Sequence, residues 1–212
     1  MTREELVGML AARFCEDFAE TMARRVLEAD AVATLYAVAT GPAGSLPRPL
    51  RAKVAFRSAY VLERLYFRAP KRFMPHADLF CERDFAAASG MSARRHFGKI
   101  MADLLLRFRP SDGALGRIAE AAAEWAVDPS SPVAVKVWAL DVLDRCRGRV
   151  AWVAETWDDL LETLAREATP GIACRVGRYR AAEYILCLKR KRFNKQKDPR
   201  FISTADPFAL MG

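Results

Sequence analysis

Apolar residues recur along most of the chain with the period of an α-helix. Between residues 92 and 108 they fall at i, i+3, i+4, i+7, i+8 and i+11, namely Phe97, Ile100, Met101, Leu104, Leu105 and Phe108. This stripe predicts an amphipathic helix. Ser92 is its expected N-cap, because a serine hydroxyl can accept a hydrogen bond from the first helical turn.

The following segments complete a hairpin and extend it. A stripe that includes Trp125 begins at Ser111 or Asp112 and ends at Asp128-Pro129, since a residue before proline resists helical geometry. Residues 131–146 are apolar on nearly every side, which predicts a helix with neighbours around most of its surface. Residues 149–168 form a further amphipathic helix in this prediction, with Trp157 on the apolar face.

The rest of the chain gives weaker helical signals and no strand signal. Further predicted helices cover 3–14, 17–39, 50–67 and 172–191, with a short one at Ala77–Phe85 and a loop at 41–49. No segment alternates polar and apolar residues with period two over a useful length. The pattern therefore predicts an all-α protein of eight or nine helices.

Four of these helices share a form, in which a basic residue near the start precedes a compact apolar run. The basic residues Arg57, Arg95, Lys136 and Arg175 are separated by 38, 41 and 39 residues. This period lies at the lower edge of the roughly 40–47 residues of HEAT and armadillo arrays.

The third of these helices carries the clearest motif. Pro132 is followed by Val135-Lys136 and an alanine- and leucine-rich run at 139–143. In this order the sequence resembles the second helix of the HEAT-repeat family, and the chain is similar to small bacterial HEAT-like proteins. The resemblance spans about residues 47–190. It implies an α-α superhelix, a HEAT-like solenoid in one domain at 1–192, followed by a basic and then apolar tail at 193–212.

Stacking gives this resemblance a physical basis, because one hairpin cannot bury both of its apolar faces and neighbouring hairpins can. An irregular helical bundle with accidental spacing is the alternative.

Charge is concentrated near the end of the sequence. The net charge is +8, and residues 171–200 alone account for +8, so attraction for phosphate would be focused there. The five scattered cysteines are expected to be core residues in a reducing compartment. No apolar stretch reaches the length of a membrane span, and the first residues do not resemble a signal peptide. We therefore expect a cytoplasmic protein without a membrane contact.

Searching for catalytic motifs gives no phosphate loop, nucleophile elbow or zinc-protease motif. His76, Asp78 and Cys81 could be imagined as metal ligands, but three mixed ligands in a turn are more typical of a solvated loop. Asp141 is expected to pair with Arg145 one turn later. The sequence thus predicts no metal, no cofactor and no enzymatic activity.

The first functional hypothesis is a non-enzymatic scaffold that binds a protein partner through the inner face of its repeats. Its candidate surface residues lie off the apolar stripes of their helices, and they are Arg57, Arg64, Arg95, Lys99 and Arg178. The partner's identity and the oligomeric state are left open.

The alternative hypothesis is nucleic-acid binding through the basic segment 175–197. The candidate contacts are Arg175, Lys189, Arg190, Lys191, Arg192, Phe193, Lys195 and Lys197. A solvated helix end would show a similar composition, since cations favour the C-terminal end of the helix dipole.

A second resemblance bears on this alternative. Alkylpurine DNA glycosylases are also HEAT-like, with tryptophans and an aspartate lining a basic concave surface, and Trp138 and Asp141 share a helix here. The tryptophan-flanked arginine motif of that family has no convincing match in this chain.

Overall fold

The computed structural model describes residues 1–13, 16–41, 48–166 and 169–182, and every regular element in these ranges is helical. The helices are α1 (Arg3–Ala11), α2 (Phe18–Glu28), α3 (Val32–Thr40), α4 (Arg48–Arg68), α5 (Pro70–Phe73), α6 (Ala77–Leu79), α7 (Met91–Leu104), α8 (Asp112–Val127), α9 (Val133–Cys146), α10 (Ala151–Arg166) and α11 (170–182). A 3₁₀ turn at Met74–His76 and a π-helical turn at Phe80–Asp84 flank α6. The predicted all-α class is confirmed. Within these ranges, none of the helices combines the length and the apolar character that a membrane crossing requires.

The predicted single helix at 17–39 is wrong. The chain leaves the helix after Glu28, and Asp30 takes a positive φ of 49°. Aspartate tolerates this left-handed region better than most residues, so the break occurs without a glycine or a proline. As a result α2 and α3 are separate, and both pack against α4.

The N-terminal caps of α7 and α8 agree with the sequence in one case and differ in the other. The Ser111 hydroxyl accepts a hydrogen bond from the Ala114 amide at 3.1 Å, and α8 ends at Val127 before Asp128-Pro129, as predicted. The N-cap of α7 is Gly90 rather than Ser92, so that prediction is wrong. Because the helix starts at Met91, the serine lies inside its first turn.

The four helices with the regularly spaced basic residues lie in order beside one another. α4 packs on α7, α7 packs on α9, and side chains of α11 bond to α9. α8 also packs on α9, and α1, α2 and α3 pack on α4. Trp125 and Trp157 are 1% and 2% exposed, as predicted for core residues. Burying a large apolar side chain of this kind contributes on the order of 2–3 kcal/mol.

The cysteine prediction is confirmed at two positions and wrong at a third. Cys81 and Cys146 are buried, and burial raises the pKa of each thiol to about 12. Cys174 is exposed, because it lies on the outward side of α11. Cys15 and Cys187 are outside the described residues.

Arg57 is not a surface residue, so its place among the candidate contacts is corrected. It is 7% exposed, and its guanidinium donates hydrogen bonds to the carbonyl oxygens of Leu10 at 2.6 Å and Ala12 at 2.5 Å. The guanidinium also lies 5.2 Å from the ring centroid of Phe18. Because α4 is covered on several sides, a position off its main apolar stripe is still buried. Arg57 fastens the end of α1 to α4.

Replacing Arg57 with alanine should therefore destabilise the N-terminal helices. One buried and one partly buried carbonyl would lose their charged donor, so we expect the free energy of unfolding to fall by roughly 2–4 kcal/mol in urea titrations. The matched control is Arg25→Ala on the exposed side of α2, which should cost less than about 1 kcal/mol. Equal effects of the two substitutions would contradict the structural role of Arg57.

Candidate functional site

Polar and aromatic side chains from α4, α7 and α9 line one groove. It consists of two adjoining cavities of about 290 Å³ and 250 Å³, which share Lys99 and Trp138. We call this the central groove, and its lining is Phe56, Tyr60, Glu63, Arg64, Phe67, Arg95, His96, Lys99, Ala102, Asp103, Leu106, Trp138, Asp141 and Arg145. The α4 contribution repeats at helical spacing, which places it on a single face of that helix.

A buried carboxylate joins α4 to α7 at the base of the larger cavity. Glu63 and His96 are each 4% exposed. One oxygen of Glu63 contacts His96 Nδ1 at 2.5 Å, and the other accepts a hydrogen bond from Lys99 Nζ at 2.5 Å. Burial alone would raise the pKa of Glu63, but the hydrogen bonds from His96 and Lys99 outweigh burial and lower the pKa below its ordinary value of 4.5. The carboxylate is therefore ionised at neutral pH.

The second ring nitrogen of His96 has no partner among the residues that the structure describes. Nε2 is buried and makes no hydrogen bond to any part of the chain that the structure describes. Since the ionised Glu63 accepts from Nδ1–H, Nε2 is an acceptor in the neutral ring and a donor in the imidazolium. A buried polar atom of this kind is normally satisfied by water or by a ligand.

Aromatic rings form one wall of the larger cavity. The Tyr60 ring stacks on His96 with a centroid distance of 5.0 Å, and Phe56 lies 6.2 Å from Tyr60. The Arg64 guanidinium lies 5.3 Å from the Tyr60 centroid and donates to the Tyr60 hydroxyl at 3.2 Å. Phe56 and Phe67 are 37% and 42% exposed, so aromatic faces remain open along α4.

Trp138 separates the two cavities and lies close to two cations. Lys99 Nζ is 5.9 Å and the Arg175 guanidinium carbon 5.7 Å from its ring centroid. Both distances fall within the range of cation–π attraction. Gly98 permits this placement, because a Cβ atom at residue 98 would lie 3.0 Å from the Trp138 Cβ. The position of Trp138 thus depends on a close approach of α7 and α9.

Asp141 is held from α11 rather than from its own helix. Arg175 Nη1 donates to both carboxylate oxygens at 2.7 Å, and the Tyr179 hydroxyl donates to Oδ1. Burial and the bond to Asp141 raise the pKa of Tyr179, so the hydroxyl stays protonated and remains a donor. The predicted Asp141–Arg145 pair is wrong, since Arg145 approaches Asp144 at 3.7 Å.

Positive charge dominates the central groove. In the described part of the chain, the carboxylates that line it are Glu63, Asp103 and Asp141, and each already accepts hydrogen bonds from protein side chains. Asp103, for example, accepts from the Tyr66 hydroxyl at 2.6 Å and from Arg107 at 2.8 Å. The cations in or beside the groove are Arg64, Arg95, Lys99, Arg145 and Arg175. Such a surface attracts anions.

The structure brings together most of the predicted contact residues that it describes. Arg64, Arg95 and Lys99 line the same cavity, and Arg178 is exposed on α11, one turn from Arg175. Outside the described residues lie Lys189, Arg190, Lys191, Arg192, Phe193, Lys195 and Lys197.

Sequence reasoning missed Glu63, Tyr60 and the role of His96. Each of these residues lies next to, or one helical turn from, a basic residue among the predicted contacts. This proximity was a weak signal in the sequence.

Metal ligation receives no support within the described ranges, where no group of three His, Cys, Asp or Glu side chains is arranged to hold an ion. His76 instead stacks on Tyr36, with a centroid distance of 4.4 Å. Comparisons with protein-family models, curated proteins and solved structures give no match. A functional assignment therefore depends on the chemistry of the central groove itself.

The Glu63 cluster gives a pH-dependent prediction for stability. Glu63→Gln removes the charge that Lys99 and His96 contact. We expect the free energy of unfolding to fall by roughly 2–3 kcal/mol at neutral pH. This loss is smaller than for a fully buried pair, because Lys99 is one-third exposed. A carboxyl with a lowered folded-state pKa stabilises the fold above its ordinary pKa of 4.5, and this contribution disappears as the pH falls through the folded-state pKa. Urea titrations at a series of pH values should show the wild-type advantage constant down to about pH 4.5 and shrinking below it. An advantage that grows on acidification would contradict the assignment.

Proposed function

We propose that the helices stack as a HEAT-like solenoid and that the central groove, on the inner side of the stack, binds nucleic acid. Support for the stacking comes from α4, α7, α9 and α11, which carry basic residues 38, 41 and 39 positions apart and lie side by side in chain order. Helical repeats that stack in this order create extended concave surfaces.

The observation that carries the proposal is the alternation of cations with partly exposed aromatic rings along one groove. Arg64 and Arg95 line the same cavity as Phe56 and Tyr60, and Lys99 stands between Phe67 and Trp138. Nucleic acids require this combination, since cations neutralise phosphates while aromatic rings stack on bases. An acidic protein segment would use the cations but has less need of the exposed rings.

A direct binding measurement tests the proposal. We expect fluorescence anisotropy to detect binding of a single-stranded oligonucleotide, with an affinity that falls steeply as salt is raised. Arg64→Ala/Arg95→Ala should weaken binding and reduce the slope of log K against log salt by about 1.4, since each phosphate contact on a single strand contributes about 0.7.

The matched control is Arg25→Ala/Lys71→Ala, which removes the same charge from exposed positions outside the groove. This control should change the affinity little. Absence of binding near physiological salt would discard the proposal and leave a protein partner, the first hypothesis from the sequence, as the better interpretation.

A second candidate is hydrolytic removal of a damaged base from DNA. It is favoured by the placement of Asp141 beside the partly open Trp138, because a fixed carboxylate can stabilise positive charge on the sugar while an aromatic ring stacks on a cationic alkylated base. In this reaction the glycosidic bond breaks and water forms the new bond to the sugar carbon. Excision ranks second because Arg175 already compensates the charge of Asp141.

Incubation with alkylated duplex DNA separates the two candidates. If the protein excises bases, Asp141→Asn should abolish release of alkylated purines while the affinity for the oligonucleotide changes less than tenfold. Chromatography of the released bases provides the measurement. No release above the uncatalysed background by the wild-type protein would remove the second candidate and leave binding as the function.

A further inference from the structure

The Nε2 atom of His96 is a buried polar atom that the described part of the fold leaves without a hydrogen bond. Its Nδ1 is committed to Glu63, its ring is fixed by stacking on Tyr60, and its Nε2 is buried without a hydrogen-bond partner in the described part of the chain. The ring belongs to the lining of the 290 Å³ cavity. Because the contacts of Nδ1 and of the ring face fix its orientation, the imidazole can offer Nε2 to a ligand without reorganisation.

The charges around this cavity select an anion. Arg64 comes from α4, and Arg95 and Lys99 come from α7. Glu63 is the carboxylate among the described lining residues, and both of its oxygens are already bonded to His96 and Lys99. An anion entering the cavity would therefore meet cations from two helices and a carboxylate that is already compensated.

We propose that this cavity is a phosphate subsite, in which Arg64, Arg95 and Lys99 neutralise the phosphate and His96 Nε2 forms its buried hydrogen bond. The inference rests on the proposed nucleic-acid function and deepens it. A tetrahedral phosphate presents oxygens in several directions, so it can contact donors on α4 and α7 together. Its oxygens accept from an imidazolium, and a phosphate monoester with an O–H can also donate to the neutral ring. A phosphodiester has no O–H, so its contact with Nε2 requires the imidazolium.

Two sources supply this chemistry: a phosphodiester within a strand, or a terminal phosphate of a strand or free nucleotide. A stacked base is a weaker occupant of the same cavity, because the Tyr60 ring already contacts His96, Phe56 and Arg64. Bases are better placed against the exposed Phe67 in the neighbouring cavity.

Nitrogen NMR of the histidine rings reports directly on the proposed contact. The chain contains only two histidines, and His76 stacks on Tyr36 outside the groove, so it serves as an internal reference. On titration with inorganic phosphate, against chloride at matched ionic strength, the His96 Nε2 resonance should shift and saturate while His76 stays unchanged. A 5′-phosphorylated and an unphosphorylated oligonucleotide then identify the source: a larger effect of the first indicates a terminal phosphate, and equal effects indicate a phosphodiester.

Two substitutions test the assigned donors. His96→Asn keeps an N–H near the position of Nδ1 for Glu63 and removes the atom at Nε2; Arg95→Ala removes one cation and leaves the Glu63 cluster intact. Each should weaken phosphate binding about tenfold, the loss expected for one charge-assisted hydrogen bond. Arg25→Ala should leave it unchanged. If His96→Asn does not fold, Arg95→Ala and the titrations of the wild-type protein still test the phosphate subsite.

The outcomes separate this inference from the broader proposal. Strand binding without any response of His96 overturns the phosphate subsite and leaves nucleic-acid binding intact. A saturable response of His96 to phosphate without strand binding supports the subsite and removes the nucleic-acid proposal. If neither strand nor phosphate has an effect, both are wrong.

Discussion

The buried carboxylate of Glu63 is the constraint on which the central groove depends. An ionised carboxylate that is 4% exposed would be costly to bury without partners, and its cost is offset here by two donors from α7. Because His96 and Lys99 are one turn apart, both can reach Glu63 only when α4 and α7 keep one rotation and one register. The same contacts orient the imidazole and fix the position of the one-third exposed Lys99 side chain in the groove lining.

Other carboxylates join neighbouring elements in the same way. Asp103 on α7 accepts from the Tyr66 hydroxyl on α4, Asp141 on α9 binds Arg175 and Tyr179 on α11, and Asp84 accepts from Tyr36 on α3 at 2.6 Å. Each interaction satisfies a carboxylate with donors that are distant in the sequence. The consequence is electrostatic. The carboxylates facing the groove are paired within the fold, whereas Arg64 and Arg95 contact no carboxylate among the described residues and can face solvent or a ligand.

Sequence patterns predicted what depends on local periodicity. The stripes of α7 and α8 and the apolar character of α9 follow from residues three and four apart, and Trp125 lies in the core as predicted. The same local reasoning paired Asp141 with Arg145, whereas the observed partner Arg175 is 34 residues away. It also left Arg57 on the surface, because no local rule shows that α1 covers that side of α4. Local periodicity does not predict contacts between helices that are distant in the sequence.

The cations at the two ends of the groove differ in how far carboxylates compensate their charge. This difference determines where a ligand would gain affinity. Arg175 is bonded to Asp141 and lies near Trp138, so its charge is largely compensated at the α9–α11 end. Arg64 is bonded only to a neutral hydroxyl among the contacts described, and it lies with Arg95 at the α4–α7 end. An anionic group would therefore gain more at α4–α7, while the tryptophan beside the compensated Asp141–Arg175 pair at α9–α11 suits an apolar group. A nucleotide strand carries both kinds of group in alternation, which supports the proposed binding of nucleic acid over that of a uniformly acidic peptide.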